Sequence, residues 1–273
     1  MEGPVERTHS RDLPAALREP VPLLAAYDAG VTAICQLAAH FDWNSWAAPT
    51  PCSEWRAAEL AAHLRCVADD FHEYLDEAPV SRYARLMATG GQPDWLARKL
   101  ARQNAAELAA LPDAPPAEHI AAFEVSARSY AARTGPVWDL PHHQYRDTVV
   151  TVGGMAGAAC AEWHLHAYDL ARALGVDYRP ADPDAILAGW LAGMPHLPLA
   201  PPHWRLGAWH GRHDDSWQAV LAASGRRVGP GDPESGARRP RPSWTVRLRR
   251  RQKGLTGSEA RRRGHPGRVS GAS

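Results

Sequence analysis

Residues 150–175 read VTVGGMAGAACAEWHLHAYDLARALG, a run that is rich in alanine and free of proline. Alanine has the highest helix propensity of all residues, and glycine is the preferred residue just beyond a helix C-terminus. Gly175 therefore marks the end of a long predicted helix that begins near residue 150.

Four further stretches on the N-terminal side have helical features. In the first two, apolar residues recur at steps of three and four, which places them on one helix face. The other two are alanine-rich and are separated by the helix-breaking segment LPDAPP. These predicted helices span residues 20–40, 60–78, 93–111 and 116–132, and a short one after the long helix is capped by Asp182 or Asp184. Residues 20–195 are therefore predicted to be all-α, most simply an up-and-down helical bundle.

The remaining segments differ from the bundle in composition. Residues 1–19 are polar and lack periodicity, so we expect a flexible N-terminal arm. Residues 196–225 are predicted to be a partial C-terminal domain, because the alternating apolar and polar residues at 204–222 are typical of a β-hairpin. Residues 226–273 are rich in arginine, glycine and proline. They hold too few apolar residues to offset the entropy cost of ordering, which predicts a disordered tail.

The composition of the 273-residue chain, with 45% hydrophobic and 22% charged residues, is typical of a globular protein. No run approaches the roughly 18 consecutive apolar residues that a membrane helix needs. The first residues, MEGPVERTHSRDLP, lack the apolar region of a secretory signal. The four cysteines form no CxxC pair, which is typical of free thiols in a reducing compartment. We therefore expect a cytoplasmic protein without a membrane anchor.

Charge is distributed unevenly along the chain. Residues 226–273 contain 14 basic and 3 acidic residues and carry a net charge of +11, whereas residues 1–225 carry −10. One interpretation of the basic segment is binding to nucleic acid or to a membrane surface. We favour a second interpretation, a non-native tail translated from a shifted reading frame of a GC-rich gene. The segment holds one tryptophan and no nucleic-acid recognition motif, so nucleic acid is not the expected partner.

Two polar residues of the long helix are one turn apart. Glu162 and His166 share a face with small residues such as Ala159, which leaves space beside both polar side chains. On an earlier helix, His63 falls within the interior apolar stripe. One carboxylate and two imidazoles suit a zinc ion with one position left for water or substrate, and Asp169 is placed to orient His166. The alternative is a hydrogen-bonded core pair of Glu162 and His166 without a metal.

Other candidate residues are interpreted as structural. The pair His142–His143 lies in a proline-flanked loop and is expected to be solvated. His164 points away from the face that carries His166 and is expected at the surface or the rim. The aromatic and thiol side chains around the proline-rich turn are expected to pack or to be buried without reacting: Trp43, Trp46, Trp55, Cys52 and Cys66.

Two segments resemble the signatures of one family. PTPCSEWRAAELAAHL at residues 49–64 is similar to T-x-C-x-x-W followed by D/E-L-x-x-H-L. AEWHLHAYDLARALG at residues 161–175 is similar to E-x-x-x-H-x-W/Y-D-L-A-x-A-x-G. These signatures belong to the metal-binding domain of the mycothiol-dependent maleylpyruvate isomerase family, a DinB-like four-helix bundle. The motifs occur in the order found in the family, and the resemblance covers roughly residues 20–195.

The resemblance implies a site and a chemistry. The metal ligands of the family correspond to His63, Glu162 and His166, with Asp169 supporting His166 from outside the ligand set. It also implies Zn²⁺ and the low-molecular-weight thiol mycothiol as cofactors, and a small electrophilic molecule as substrate. Thiolate addition to an activated double bond, rotation and elimination isomerise a cis-enedione, and addition alone transfers the thiol. The alternative is a non-catalytic metal-binding module of the same family.

Family members often continue into a small α+β C-terminal domain. Residues 204–222 resemble the opening strands of that domain, and the resemblance stops beyond them. The arginine that would bind the substrate is left open between Arg65, Arg128 and Arg172.

Overall fold

Helices make up most of the chain that the computed structural model describes, namely residues 20–52, 55–195 and 215–226. Within these residues the chain forms nine α-helices, one 3-10 helix and one two-stranded sheet. In chain order they are α1 (Pro20–Ala38), α2 (Trp43–Trp46), α3 (Ala57–Asp76), α4 (Arg82–Ala88), α5 (Pro93–Ala110), α6 (Pro116–Thr134), the 3-10 helix (Gly135–Val137), β1 (Pro141–Tyr145), β2 (Thr148–Thr151), α7 (Val152–Leu174), α8 (Pro183–Gly193) and α9 (Ser216–Ala223). The predicted all-α fold class is confirmed.

The long helices α1, α3, α6 and α7 enclose the core. Helix α7 packs along α1, and α3 packs along α6. Trp163 of α7 is fully buried at the centre. Its indole ring makes edge contacts with Tyr27, Phe71 and Phe123, from α1, α3 and α6, at centroid distances of 6.0, 5.8 and 4.9 Å. Aromatic side chains from all four helices thus meet at one point and join them into a bundle.

Helix α7 also packs closely against α8 at a pair of glycines. A Cβ atom on Gly157 would lie 2.6 Å from the Cα atom of Gly189, a distance at which something must shift. The missing side chains therefore allow the two backbones to touch, and α8 covers the N-terminal half of α7.

Local signals set the ends of α7 and α8. The Thr151 hydroxyl accepts a hydrogen bond from the backbone N–H of Gly154 at 3.1 Å and begins α7. Gly175, with a φ of 72°, ends α7 as the sequence predicts. The Asp182 carboxylate accepts from the N–H of Ala185 at 3.0 Å, so Asp182, not Asp184, caps α8.

A β-hairpin occupies residues 141–151, where the sequence predicted a solvated loop around His142 and His143. Strand β1 pairs antiparallel with β2, and the turn between them includes Arg146 at a φ of 52°. A register shift between Pro141 and His143 interrupts the usual alternation of strand side chains. Both histidines are consequently buried, and the prediction of a solvated pair is wrong.

The C-terminal part of the described chain is helical. The sequence predicted a β-hairpin over residues 204–222, but residues 216–223 form α9 instead. Asp215 caps this helix by accepting a hydrogen bond from the N–H of Trp217 at 2.8 Å. Trp217, Val220 and Leu221 are buried against α8 at the three- and four-residue spacing of a helix face. The rest of that predicted hairpin, the N-terminal arm and the tail from residue 227 onward lie outside the described residues, so the domain boundaries stay predictions.

Helix α1 has the length and composition of a membrane span, with a mean hydropathy of 1.4 over its apolar window. One side of it is nevertheless packed into the bundle, chiefly against α7 and α6. Its buried residues are Leu23, Ala26, Tyr27, Gly30, Val31 and Ile34. Because a core helix of a bundle passes the same test, we interpret α1 as a core helix.

Candidate functional site

Three polar residues of α7 point toward one place in the bundle. Glu162, His166 and Asp169 follow one another at spacings of four and three residues, which brings them to one helix face. The Glu162 side chain is 28% exposed, whereas His166 is buried and Asp169 is 0% exposed. Solvent therefore reaches these three side chains at Glu162, whereas Asp169 is inaccessible to it.

Both ring nitrogens of His166 face carboxylates. Nδ1 lies 3.0 Å from Oδ2 of Asp169, and Nε2 lies 3.3 Å from Oε2 of Glu162. Burial lowers the pKa of His166, but the hydrogen bonds to Asp169, Cys52 and Glu162 outweigh it and hold that pKa well above its usual value. Asp169 thus fixes the orientation of the ring, and Nε2 is directed toward Glu162.

His63 of α3 reaches the same place from the opposite helix. Its ring is perpendicular to that of His166, with 5.3 Å between the centroids, and its other neighbour is Trp55 at 4.0 Å. The Nδ1 atom of His63 is buried and has no hydrogen-bond partner among the described residues. Burial, and then the nearby His166, lower the pKa of His63 well below its usual value, so the ring is neutral and offers a lone pair.

Two further residues contact Asp169 from distant parts of the chain. The Cys52 thiol donates to Oδ2 of Asp169 at 3.1 Å. The Arg226 guanidinium donates from Nε to Oδ1 at 2.8 Å and from Nη2 to Oδ2 at 2.5 Å. Burial alone raises the pKa of Asp169, but the charge of Arg226 outweighs it and holds that pKa far below its usual value. A buried anion is therefore compensated by a buried cation.

The structure brings together every residue that the sequence placed in the site and adds two that it did not. Cys52 was expected to be buried and inert, yet its half-buried thiol touches Asp169. Arg226 was assigned to the disordered tail. Cys52 is the cysteine of the T-x-C-x-x-W signature, a signal that could have found it, whereas Arg226 lies in no quoted motif. Their contacts with Asp169 span 117 and 57 positions of the chain, which spacing does not predict.

Several other expectations are corrected. His164 is buried, not at the surface: its Nε2–H donates to the carbonyl oxygen of Ala26 at 2.8 Å, and the Tyr178 hydroxyl donates to Nδ1 at 2.5 Å. Trp43 was expected to pack under the loop and is 88% exposed. The choice among the three arginines considered for substrate binding stays open. Each pairs with an acidic residue: Arg65 with Asp69, Arg128 with Asp28 and Glu124, and Arg172 with Asp177.

Two overlapping sets of donor residues meet in this cluster. The predicted set consists of His63, Glu162 and His166, of which His166 and Glu162 lie 3.3 Å apart at Nε2 and Oε2. The other consists of Cys52, His166 and Asp169, the group among the described residues whose ligand atoms all lie within 4.8 Å of one another. The two sets lie on opposite nitrogens of the His166 ring, because Nε2 faces Glu162 and Nδ1 faces Asp169.

The comparisons with known proteins agree with the resemblance seen in the motifs. Residues 27–171 match the family model described as the mycothiol maleylpyruvate isomerase N-terminal domain. No curated protein and no solved structure gives a significant match to the chain. The matched range runs from Tyr27 in α1 to Ala171 in α7, so it contains α3 and α6 completely and most of α1 and α7. This chain belongs to the mycothiol maleylpyruvate isomerase N-terminal domain family.

Proposed function

We propose that the protein is a zinc-dependent enzyme that uses the thiol mycothiol to isomerise, or to transfer the thiol to, a small electrophilic molecule. His63, Glu162 and His166 would hold the metal, and Asp169 would orient His166. The observation that carries the proposal is the buried Nδ1 atom of His63, which has no hydrogen-bond partner among the described residues, on a ring whose centroid lies 5.3 Å from that of His166. A buried polar atom left unpaired costs about 1 to 3 kcal/mol, a cost that a bound cation removes.

The surroundings of His166 also fit a metal ligand. Histidines that bind metals usually donate the other ring N–H to a carboxylate, which fixes the tautomer and the ring orientation. Asp169 provides that carboxylate on Nδ1, and Nε2 is left facing Glu162. Two imidazoles and one carboxylate are a frequent ligand set of catalytic zinc sites, in which one position stays open.

The second donor set is less suited to a metal. The guanidinium of Arg226 contacts both Asp169 and Cys52, at 2.5 Å from Oδ2 and 3.5 Å from Sγ. A permanent positive charge therefore already occupies the side of the cluster where Cys52 and Asp169 meet, and it would repel a second cation. Of the two sets, the one formed by His63, Glu162 and His166 is favoured.

A bound zinc ion supplies an open coordination position that favours the thiolate form of a thiol, the nucleophilic form. Mycothiol would supply a nucleophilic sulfur that adds reversibly to one carbon of an activated double bond. Addition would leave a single bond free to rotate, with the π electrons on the conjugated carbonyl, and loss of the same thiolate would restore the double bond in the trans geometry. Glu162, the most exposed ligand, lies where the thiol and the electrophile would enter.

The proposed compartment is the cytoplasm. All four cysteines, Cys35, Cys52, Cys66 and Cys160, are free thiols in the structure. Free cysteines and a low-molecular-weight thiol cofactor both suit a reducing compartment.

The alternative is a non-catalytic module in which the metal only stabilises the bundle. The cluster joins α3 to α7, so a metal ion there would tie two long helices together. The two functions differ in thiol-dependent turnover. A zinc-loaded protein that converts no enedione and no electrophile when mycothiol is supplied would support the module.

The metal content of the purified full-length chain tests the proposal. By mass spectrometry we expect about one zinc per wild-type chain and little in His166→Gln. His164→Gln is the matched control, because His164 is equally buried two residues away but bonds to Ala26 and Tyr178 instead. A folded wild-type chain that stays metal-free after zinc addition would show that Glu162 and His166 form a core pair only.

A further inference from the structure

We infer that Arg226 is a positioning residue of the proposed metal centre. Its guanidinium fixes the carboxylate of Asp169, and that carboxylate fixes the ring of His166. The inference rests on the proposed function, because the property that Arg226 would change is the affinity of the centre for its metal ion. It goes beyond that function, since it makes a C-terminal residue outside the matched range 27–171 part of the centre.

The backbone of Arg226 is held by the end of α9. Gly225 adopts a φ of 78°, a left-handed conformation in which glycine is favoured. The N–H of Gly225 donates to the carbonyl of Ala222 at 3.1 Å, and the N–H of Arg226 donates to that of Leu221 at 2.9 Å. This pair of bonds is a Schellman motif, which turns the chain sharply and gives Arg226 a defined starting point.

Helix α9 is in turn anchored to the bundle. Trp217 is buried and makes edge contacts with Tyr168 and Tyr178 at centroid distances of 6.2 and 6.3 Å. The Ser216 hydroxyl donates to the carboxylate of Asp184 at the start of α8. The packing of α9 against the bundle therefore positions the guanidinium of Arg226 next to Asp169.

The guanidinium holds Asp169 at two points. Nε donates to Oδ1 at 2.8 Å and Nη2 to Oδ2 at 2.5 Å, so both carboxylate oxygens are engaged by one planar fork. Such a fork fixes the plane of a carboxylate, which a single point charge does not. Because Oδ2 also accepts from Nδ1 of His166 at 3.0 Å, the fixed plane is transmitted to the imidazole ring.

Burial of the pair supports a positioning role over a stabilising one. The Arg226 side chain is 9% exposed and that of Asp169 is 0% exposed. The cost of desolvating two buried charges offsets most of their attraction, so such a pair adds little net stability to a fold. What the pair does provide is a defined geometry beside His166.

The test compares the zinc affinity of full-length wild type, Arg226→Gln and Arg226→Lys, by competition with a chromophoric chelator. We expect the zinc Kd to rise about 10-fold or more in Arg226→Gln, the loss typical when support outside the ligand set is removed. Arg226→Lys keeps the charge but not the two-point fork, so its Kd is expected to rise as well. The visible spectrum of the cobalt-loaded proteins should change in both variants, because it reports the ligand geometry.

Arg179→Gln is the matched control. Arg179 pairs with Asp215 and also ties α9 to the bundle, but its side chain is 57% exposed and its bonds do not involve Asp169. We expect its zinc Kd to stay within twofold of wild type. An unchanged Kd in Arg226→Gln, or a wild-type Kd in Arg226→Lys, overturns the positioning role while the proposed function stands. A wild-type chain that binds no zinc overturns both.

Discussion

The His63 side chain lowers the free energy of unfolding of the metal-free protein. Its Nδ1 atom is buried with no hydrogen-bond partner among the described residues, and the ring packs between Trp55 and His166. An apolar side chain of similar size would remove the unpaired atom and keep the packing. In the proposed function the histidine is a metal ligand, and a bound metal ion would offset this loss of stability.

We therefore expect opposite effects of His63→Leu on stability and on metal binding. In the presence of a chelator, the free energy of unfolding should be unchanged or about 1 kcal/mol higher than that of wild type, as measured by urea denaturation. Zinc binding should be lost or strongly weakened in the same variant. A His63→Leu protein that is clearly less stable without metal would mean that the histidine contributes a packing or hydrogen-bonding role of its own.

At the scale of elements, the contact between α7 and α8 depends on two glycines. A Cβ atom at Gly157 would meet the Cα atom of Gly189 at 2.6 Å and its carbonyl oxygen at 2.9 Å. Both are backbone atoms, so no rotation of a side chain can relieve the clash. We expect Gly157→Ala to force the helices apart and to lower the free energy of unfolding by about 1 to 3 kcal/mol in thermal or urea denaturation.

Gly135 offers a matched control for that substitution. It lies at the end of α6 with a φ of −52°, and an added Cβ atom would meet nothing among the described residues within 4 Å. Gly135→Ala is therefore expected to leave stability unchanged or to raise it by less than about 1 kcal/mol, because it restricts the unfolded chain. Equal losses in the two variants would refute the close-contact explanation.

At the scale of the whole molecule, one network of carboxylates makes folding depend on pH. Asp70, Glu73 and Glu107, from α3 and α5, all face the single guanidinium of Arg82. Burial, followed by the charge of Glu107, raises the pKa of Asp70 from 3.8 to about 7, although Arg82 and a hydrogen bond from Tyr74 oppose the rise. Three carboxyl groups thus share one guanidinium cation. As a result, Asp70 binds a proton more tightly in the folded chain than in the unfolded chain.

The raised pKa of Asp70 determines the direction in which the stability of the protein changes with pH. Between pH 4 and about pH 7 the folded chain holds a proton on Asp70 that the unfolded chain has lost, so this group makes stability fall as the pH rises. We expect Asp70→Asn to flatten that fall, measured as the free energy of unfolding at several pH values. Asp76→Asn is the control: Asp76 pairs with Arg133 and its pKa is lowered, so the slope between pH 4 and 7 should stay as in wild type.

Helices and the residues along each of them could be read from the sequence. The periodicity of apolar residues, the caps at Asp182 and Gly175, and the spacing of Glu162, His166 and Asp169 all depend on neighbours within a few positions. Because helical hydrogen bonds join residues only four positions apart, such signals can be recognised from the local sequence alone. His63 was assigned to the same site from its interior position and its residue type, and then from the motif resemblance, since spacing does not relate one helix to another.

The tertiary structure alone decided the other features. It placed Arg226 and Cys52 on Asp169, buried His142 and His143 through a shifted strand register, and made residues 216–223 a helix. Each of these depends on the surface against which a segment packs. Side-chain contacts between distant segments form because burial is favourable for the assembled core. The local sequence pattern of one segment therefore does not identify the distant segment that it will contact.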